Sequence, residues 1–371
     1  MNRRICHQLL TLLALPIALW ANANTTEITP PVGPIPGHCV DVIIDAEFLW
    51  WYSSVTDQSY AIKGKTIATG DQVNPNQVAV WVPSNKEEFD WEWDPGARLG
   101  IGVVTNHDGW DIYSEWTYFY NSLKNRLNVA PFDDSNLAVA GPYPIGTQAF
   151  TSTWFLNPNA EFLNHIKARW ALLFNQIDLK LGRKYWISRF LSLHPFAGIR
   201  GYWARMHFSL HGSRPLAPNA TYFNAGSTYR QKSWAVGLLT GLNAAWHLTR
   251  NWSIFNDAAV ALTYGKYWIR RKSSQFEVDQ TGAVVGNLSA LTRDTIYQTQ
   301  PFIDLALGLR WEQTFNQTIH VLFDIGWENH FLIDFNHLFR GAEPSVSFTD
   351  LPSTKGDLTL SGVTVSGRVE F

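Results

Sequence analysis

Cysteine is nearly missing from this chain: of 371 residues only Cys6 and Cys39 carry a thiol, and an apolar run separates them. If that run is a removable leader, Cys39 stands alone afterwards, so no internal disulfide can form; Cys39 is expected as a free thiol ahead of the barrel, with pairing between chains as the alternative. A membrane-crossing helix is missing as well. The one uncharged apolar run, Leu9 to Trp20, is about twelve residues long, whereas a spanning helix needs roughly 20. Hydrophobic residues still make up 46% of the chain and Trp, Tyr and Phe 14%; they are dispersed rather than massed. Excess positive charge is absent too, with 29 Lys and Arg against 31 Asp and Glu. That balance argues against a nucleic-acid partner, which favours a basic face.

What is present begins with Met1-Asn2-Arg3-Arg4, the apolar run, and then Ala21-Asn22-Ala23. This order is that of a secretory signal peptide cleaved near Ala23. Cleavage removes Arg3 and Arg4 and no acid, which leaves the remainder mildly acidic. Three regions are therefore expected: a signal peptide over 1–23, a periplasmic lead-in over 24–40 punctuated by Pro30, Pro31, Pro34 and Pro36, and one β domain over 41–371.

From Asp41 onward apolar and aromatic residues alternate with polar or small ones. In the first unit Ile44, Ala46, Phe48 and Trp50 share a face while Asp45 and Glu47 occupy the other. Period-two alternation is the mark of a half-buried strand, and carboxylates on the second face require water there. Ten such units can be marked, over 41–55, 91–105, 109–123, 165–181, 190–207, 232–248, 252–270, 293–311, 318–334 and 357–371. Their connections alternate strictly. Those at 106–108, 182–189, 249–251 and 312–317 are short, and those at 56–90, 124–164, 208–231, 271–292 and 335–356 are long. Short periplasmic turns, long extracellular loops and an even strand number are the pattern of a bacterial outer-membrane barrel. The expected fold is thus all-β, a ten-stranded antiparallel transmembrane barrel. Twelve strands are the alternative, if stretches near Val78 to Val82 and Gly146 to Phe155 pair as further staves.

The last unit carries Val363, Val365, Gly367, Val369 and Phe371 on one face. An alternating terminal strand that ends in an aromatic is what barrel-assembly machinery engages, so Val369 and Phe371 are the expected assembly signal. Trp110, Trp203, Trp234, Trp246, Trp252, Trp268, Trp311 and Trp327 lie near strand ends on the apolar phase, as an interfacial girdle requires. Gly96, Gly100 and Gly102, like Gly198 and Gly201, are expected to leave lumen or bend space. His107-Asp108-Gly109 reads as a turn whose glycine takes a positive φ, not as a catalytic pair.

Five stretches, Glu47-Phe48-Leu49-Trp50-Trp51, Trp93 through Gly100, His107 through Asp111, Asp178 through Arg183 and Leu193 through Gly201, together make the chain resemble the Legionella-type pore-forming outer-membrane proteins. These are related to the major-outer-membrane-protein-like family of environmental chlamydiae. The resemblance runs from about Asp41 to Phe371. It implies an outer-membrane porin or an adhesin-like surface protein without cofactor or catalytic residues. The chlamydial proteins proper are cysteine-rich and cross-linked, and this chain departs from them there.

With the apolar phase toward lipid, the polar phase lines the interior. It holds Asp45, Glu47, Asp111, Glu115, Asp178, Asp257, Asp304, Asp324, Glu328 and Glu370 against Arg98, Lys180, Arg200, Arg310 and Arg368. Carboxylate rings favour cations in a water-filled pore, so passive diffusion of small hydrophilic solutes or ions with mild cation preference is the expectation. The competing expectation is a plug, because small barrels fill with side chains. A hydrolase would draw on Asp324, Glu328 and His330, with Asp334 and His337 at the mouth, but no serine stands at a recognisable spacing to them. No histidine spacing suggests a metal. The expected partners are outer-membrane lipid and lipopolysaccharide, whose phosphates the cluster Arg270-Arg271-Lys272 would meet, and a host surface partner for the long loops.

Overall fold

The computed structural model describes residues 40–69, 78–105, 109–130, 146–156, 162–215, 222–315, 319–340 and 354–371. The signal peptide and almost all of the lead-in, both cysteines, His107 and Asp108 lie outside the described residues. Fourteen strands are described: β1 (Val40–Val55), β2 (Ala61–Thr69), β3 (Val78–Glu87), β4 (Trp93–Thr105), β5 (Trp110–Asn128), β6 (Gln148–Thr151), β7 (His165–Arg183), β8 (Tyr185–Trp186), β9 (Leu191–Arg214), β10 (Tyr222–His247), β11 (Trp252–Val278), β12 (Val284–Phe315), β13 (Ile319–Asn336) and β14 (Gly356–Glu370). Ten of them form one antiparallel sheet in the order β10-β11-β12-β13-β14-β1-β4-β5-β7-β9, and β9 pairs back onto β10. The sheet is therefore a closed barrel of ten staves, as the alternation of loop lengths predicted.

Closure is made between the two ends of the chain. The first and last strands pair from Ile43 opposite Glu370 to Val55 opposite Leu358. Below that ladder Val42 N donates to Phe371 O at 2.7 Å and Phe371 N to Val42 O at 3.0 Å. Hydrocarbon offers no partner to an unpaired N–H or C=O, so only a closed barrel or a helix satisfies the backbone there. Among the described residues no helix is long and apolar enough to cross a membrane; the crossing is made by strands.

Two expectations need correction. The stretches near Val78 and Gln148 do become strands, but they join β2 in a separate three-stranded sheet ordered β3-β2-β6 and add no stave. The connections expected at 208–231 and 271–292 are largely strand. β11 and β12 continue to a five-residue turn in which Asp279 Oδ1 accepts from Thr281 N at 2.8 Å and Ala283 N at 2.9 Å, and Gly282 supplies a φ of +82°. A barrel strand crosses a bilayer in about 9–11 residues, so these staves project well beyond it. At the projecting end of β11 polar residues stand on both faces, and the exposed apolar residues of β12 there, Val284, Val285, Leu288 and Leu291, follow no period of two, which hides the strand from a periodicity test.

The outward phase is apolar. Leu238 is 75% exposed, and Val236, Val260 and Leu262 are each more than half exposed. Contiguous apolar area of this extent is not stable in water, so the surrounding solvent is lipid. Of the girdle tryptophans, Trp110, Trp203, Trp234, Trp246, Trp252, Trp268 and Trp327 are exposed on this outer surface.

Inside, two of the expected glycines act as expected. A Cβ on Gly100 would lie 1.8 Å from Tyr113 Oη, and one on Gly102 2.8 Å from the same ring, so Tyr113 lies flat over the space they leave. Gly201 does not fit that expectation. It sits on the outward phase of its strand, where an added Cβ would meet only Val236, at 3.3 Å. Gly109 has the positive φ its turn demands, +66°.

Phe371 is half exposed on the lipid side while its backbone completes the seam. Replacing it with serine keeps those backbone bonds but removes the aromatic end of the strand. The expected result is a large drop in heat-modifiable, membrane-inserted protein, measured by gel mobility of outer-membrane fractions before and after boiling. Unchanged yield of the folded form would refute the assembly role.

Candidate functional site

The strand period places alternate residues inside the barrel, and every charged residue expected in the lumen points there. What distinguishes the site is how these charges are spent. Arg98 on β4 binds Glu47 on β1 at 2.6 Å and reaches past β1 and β14 to Glu328 on β13 at 2.9 Å. His330, two residues on, bonds Glu328 through Nε2 at 3.0 Å and Asp304 of β12 through Nδ1 at 2.8 Å. Asp304 in turn takes Arg200 Nη1 of β9 at 2.5 Å, and Arg200 also binds Asp178 on β7 at 2.6 Å. The chain Glu47–Arg98–Glu328–His330–Asp304–Arg200–Asp178 thus spans the lumen as a belt in which acidic and basic side chains alternate. Neither partner strand of the Arg98–Glu328 or Arg200–Asp304 bond adjoins the other, so these bonds run across the interior, not along the wall.

Below the belt, toward the short turns, further pairs line the wall. Lys180 binds Glu115 at 2.7 Å, Arg310 binds Asp324 at 2.7 Å and Arg368 binds Asp45 at 3.1 Å. His194 meets Asp111 at 2.6 Å, and His320 stands 3.3 Å from Glu370. Asp257 is the exception: its Oδ1 is buried without a hydrogen-bond partner. These groups surround a cavity of about 730 Å³ that extends to Lys184, Arg250 and Thr314 at the short-turn end. Nine Asp and Glu and seven Lys and Arg line it. The two-to-one acidic excess counted along the sequence is therefore much reduced here, partly because Lys184 and Arg250, assigned to turns, also face the cavity.

Above the belt the interior changes character. Leu49 and Trp51 follow Glu47 on the inward phase of β1; Ile166, Ala168, Trp170, Leu172 and Phe174 precede Asp178 on β7. On the inward phase of these strands apolar side chains predominate in this half. Three loop segments fold into it. Trp154, from the segment before β7, is fully buried and packs edge-on against Phe208 at 4.9 Å and Tyr229 at 5.2 Å. Phe89 and Trp91, ahead of β4, pack on Phe208 and Trp170, and Phe335, Leu338 and Phe339 enter from the end of β13. The aromatic mass rests on the belt: Arg98 lies 5.5 Å from the Trp51 ring and Arg200 5.3 Å from the Phe302 ring, and cation–π attraction is stronger in such dry surroundings.

Polar wall residues tie the loop backbones down. Gln231 Nε2 donates to Phe335 O at 2.7 Å, while its Oε1 accepts from His337 N at 2.9 Å. Arg271, 2% exposed, donates to Trp154 O and Arg340 O, each at 3.3 Å. The expected cluster Arg270-Arg271-Lys272 is accordingly split. Arg271 serves the plug, whereas Arg270 and Lys272 are exposed on the outside. A plug was the competing expectation, but one made of ion pairs; its aromatic part was not foreseen, though the large apolar residues on the inward phase were the available signal. Of the hydrolase candidates, His330 has both ring nitrogens bonded to carboxylates, Asp324 is paired with Arg310, and His337 bonds Gln298 at 2.6 Å.

Breaking a buried ion pair on one side leaves the other charge stranded and costs about 3–5 kcal/mol. Arg200→Met removes the guanidinium shared by Asp178 and Asp304, leaving Asp178 with Gln176 and Asp304 with His330, so equilibrium unfolding of refolded protein should show a loss of about that order. Adding Asp178→Asn and Asp304→Asn should restore most of it. A single variant as stable as the parent would show that the belt is not structural.

Solved structures with similar barrels include the outer membrane protease OmpT from Escherichia coli (11% identity, 94% of this chain and 99% of that chain covered, TM-score 0.34) and a Pseudomonas aeruginosa FadL homologue (8% identity, 90% of each chain, TM-score 0.25). At those scores no activity transfers from either. No curated protein matches significantly in sequence. The family described as Legionella pneumophila major outer membrane protein precursor matches residues 35–371, nearly the whole chain, and the protein is a member of that outer-membrane family.

Proposed function

We propose that this protein is an outer-membrane channel for small hydrophilic solutes and ions that rests closed, with the aromatic plug as its gate. The observation that carries this reading is the division of the lumen. A wet, charge-lined cavity runs from the short-turn end up to the belt; none of Trp51, Phe174, Tyr202 or Phe302 above the belt lines it, and all four are buried. An interior built only to be solid has no use for a cavity of this size lined by ionisable groups, since buried charge is costly unless paired or wetted. An always-open pore has no use for the plug.

The gate reading also explains how the plug is fastened. Its wall contributions, such as Trp170 and Phe208, belong to staves and are fixed. Its loop contributions hang on a few latches: Arg271 and Gln231 on loop carbonyls, Asn336 on Gln58 at 2.9 Å, and Trp154 Nε1 on Ser59 O at 2.7 Å. Each such bond contributes about 0.5–1.5 kcal/mol, small enough for a set of them to be released together. With acids and bases nearly balanced along the cavity, the cation preference of the opened state is weak.

The test is single-channel recording of refolded protein in a planar bilayer under a salt gradient. Wild type should be silent or open rarely. Trp154→Ala combined with Arg271→Ser should give frequent discrete steps that reverse slightly on the cation side. Steady conduction by wild type would show that the plug does not close the path. Silence from a variant shown to be folded and inserted would establish a solid structural barrel instead.

A further inference from the structure

The outward phase of the barrel is neutral and apolar over most of its height, but one region near the long-loop end is densely basic. Interstrand register places these residues in direct opposition. Arg230 on β10 stands opposite Arg270 on β11, and Arg270 opposite Arg293 on β12. Arg205 on β9 faces Lys232 on β10. Lys124 on β5 faces Arg169 on β7, and one step further out Arg126 faces Lys167. All of these side chains are exposed, as is Lys272. The residues flanking them on the same outward rows are uncharged, such as Ser, Thr, Asn, Ala, Gly, His or apolar side chains; among the described residues no Asp or Glu occupies an outward position there. Asp294, the acid next to Arg293, lies on the opposite phase, in register with Ile269.

Like charges directly opposite one another on adjacent strands are destabilising, and a solvated rim ordinarily mixes both signs. The array is also one-sided. The outward phases of β13, β14, β1 and β4 hold no Lys or Arg among the described residues. Its depth is set by aromatics: Trp203 and Trp234 lie opposite each other one outward step toward the bilayer from the Arg205–Lys232 pair, and Trp268 precedes Arg270 by one such step. Lys266, just below, turns its ammonium onto the Trp268 ring at 4.6 Å. Tryptophan marks the head-group level. The basic rows therefore begin where lipid head groups do, on the leaflet of the long loops, with apolar wall directly beneath.

We propose that this face, from β5 through β12, binds the phosphorylated glycolipid of the outer leaflet, its phosphates seated between the opposed Arg and Lys side chains and its acyl chains along Val236, Leu238 and Leu262. Charge complementarity identifies the head group, and continuity with the apolar wall identifies the source as a lipid, since a free anion has no need of that wall. Outward rows are about 6.7 Å apart along a strand and strands about 4.8 Å apart, so one phosphate can reach several cations at once, and such charge-assisted bonds are the strong ones. The inference is independent of whether the channel opens.

The experiment is thermal unfolding of the refolded full chain in neutral detergent, alone and with bis-phosphorylated lipid A, dephosphorylated lipid A, or inorganic phosphate. Phosphorylated lipid A should raise the unfolding temperature severalfold more than either control. Arg230→Gln/Arg270→Gln/Arg293→Gln should lose most of that rise, while being at least as stable as wild type without lipid because the opposed charges are gone. An equal rise with dephosphorylated lipid A would reduce the face to ordinary lipid contact, an equal rise with phosphate would make it an anion site, and an undiminished rise in the triple variant would place the lipid elsewhere; each overturns the proposal. Lys124→Gln/Arg169→Gln provides a second variant on separate strands, expected to lose part of the rise, should the first fail to refold.

Discussion

Everything in this molecule follows from the seam between its first and last strands. In hydrocarbon an unpaired backbone amide costs several kcal/mol, so the sheet has either no edge or no stability. The pairing of Val40–Val55 with Gly356–Glu370, finished by the reciprocal bonds of Val42 and Phe371, removes the edge. It also forces an even, antiparallel strand count with both ends of the barrel segment on one side. Closure then defines an inside and an outside for every residue, and each side chain's task is set by its parity along the strand.

Closure at ten staves leaves an interior too narrow to be bulk water and too wide to be filled by the wall's aliphatic side chains. The protein fills it in two ways. Toward the short turns, long charged side chains reach across and neutralise one another, as Arg98 and Arg200 do by bridging non-adjacent staves. Toward the long loops, aromatic rings supply the volume, and the loops bring in what the staves cannot. The two fillings support each other. The guanidinium groups of the belt lie over the lowest rings of the plug, and those rings exclude water that would otherwise weaken the belt's ion pairs.

The barrel was legible in the sequence because two signals, period-two alternation and loop length, are local and independent of tertiary detail. Asp45 and Glu47 facing away from Phe48 and Trp50 suffice to demand a wet interior at that height. The lumen-facing charges were legible for the same reason. What the charges do was not, because the partners are separated by long stretches of chain: Glu328 lies 230 residues from Arg98, and no spacing rule connects them. The aromatic make-up of the plug was hidden by a related ambiguity. Trp170 and Phe174 on one phase and Leu173 and Ile177 on the other read as continuous hydrophobicity, which marks two dry faces without saying that one is lipid and the other a stopper. The projecting hairpin of β11 and β12 was hidden because outside the bilayer both faces meet water and the alternation that defines a barrel strand disappears.

One segment shows how much parity decides. Arg270, Arg271 and Lys272 form a single basic run in sequence and would naturally be given a single role. The strand turns Arg271 inward to the carbonyls of Trp154 and Arg340, and Arg270 and Lys272 outward among Arg230 and Arg293. The latch of the plug and the basic outer face are therefore neighbours on one backbone, separated only by the thickness of the sheet. A ligand that clamps the outside of β11 restrains the strand on which the latch is mounted. A charge count along the chain sees three like residues; the fold sets them on two opposite faces of one stiff element.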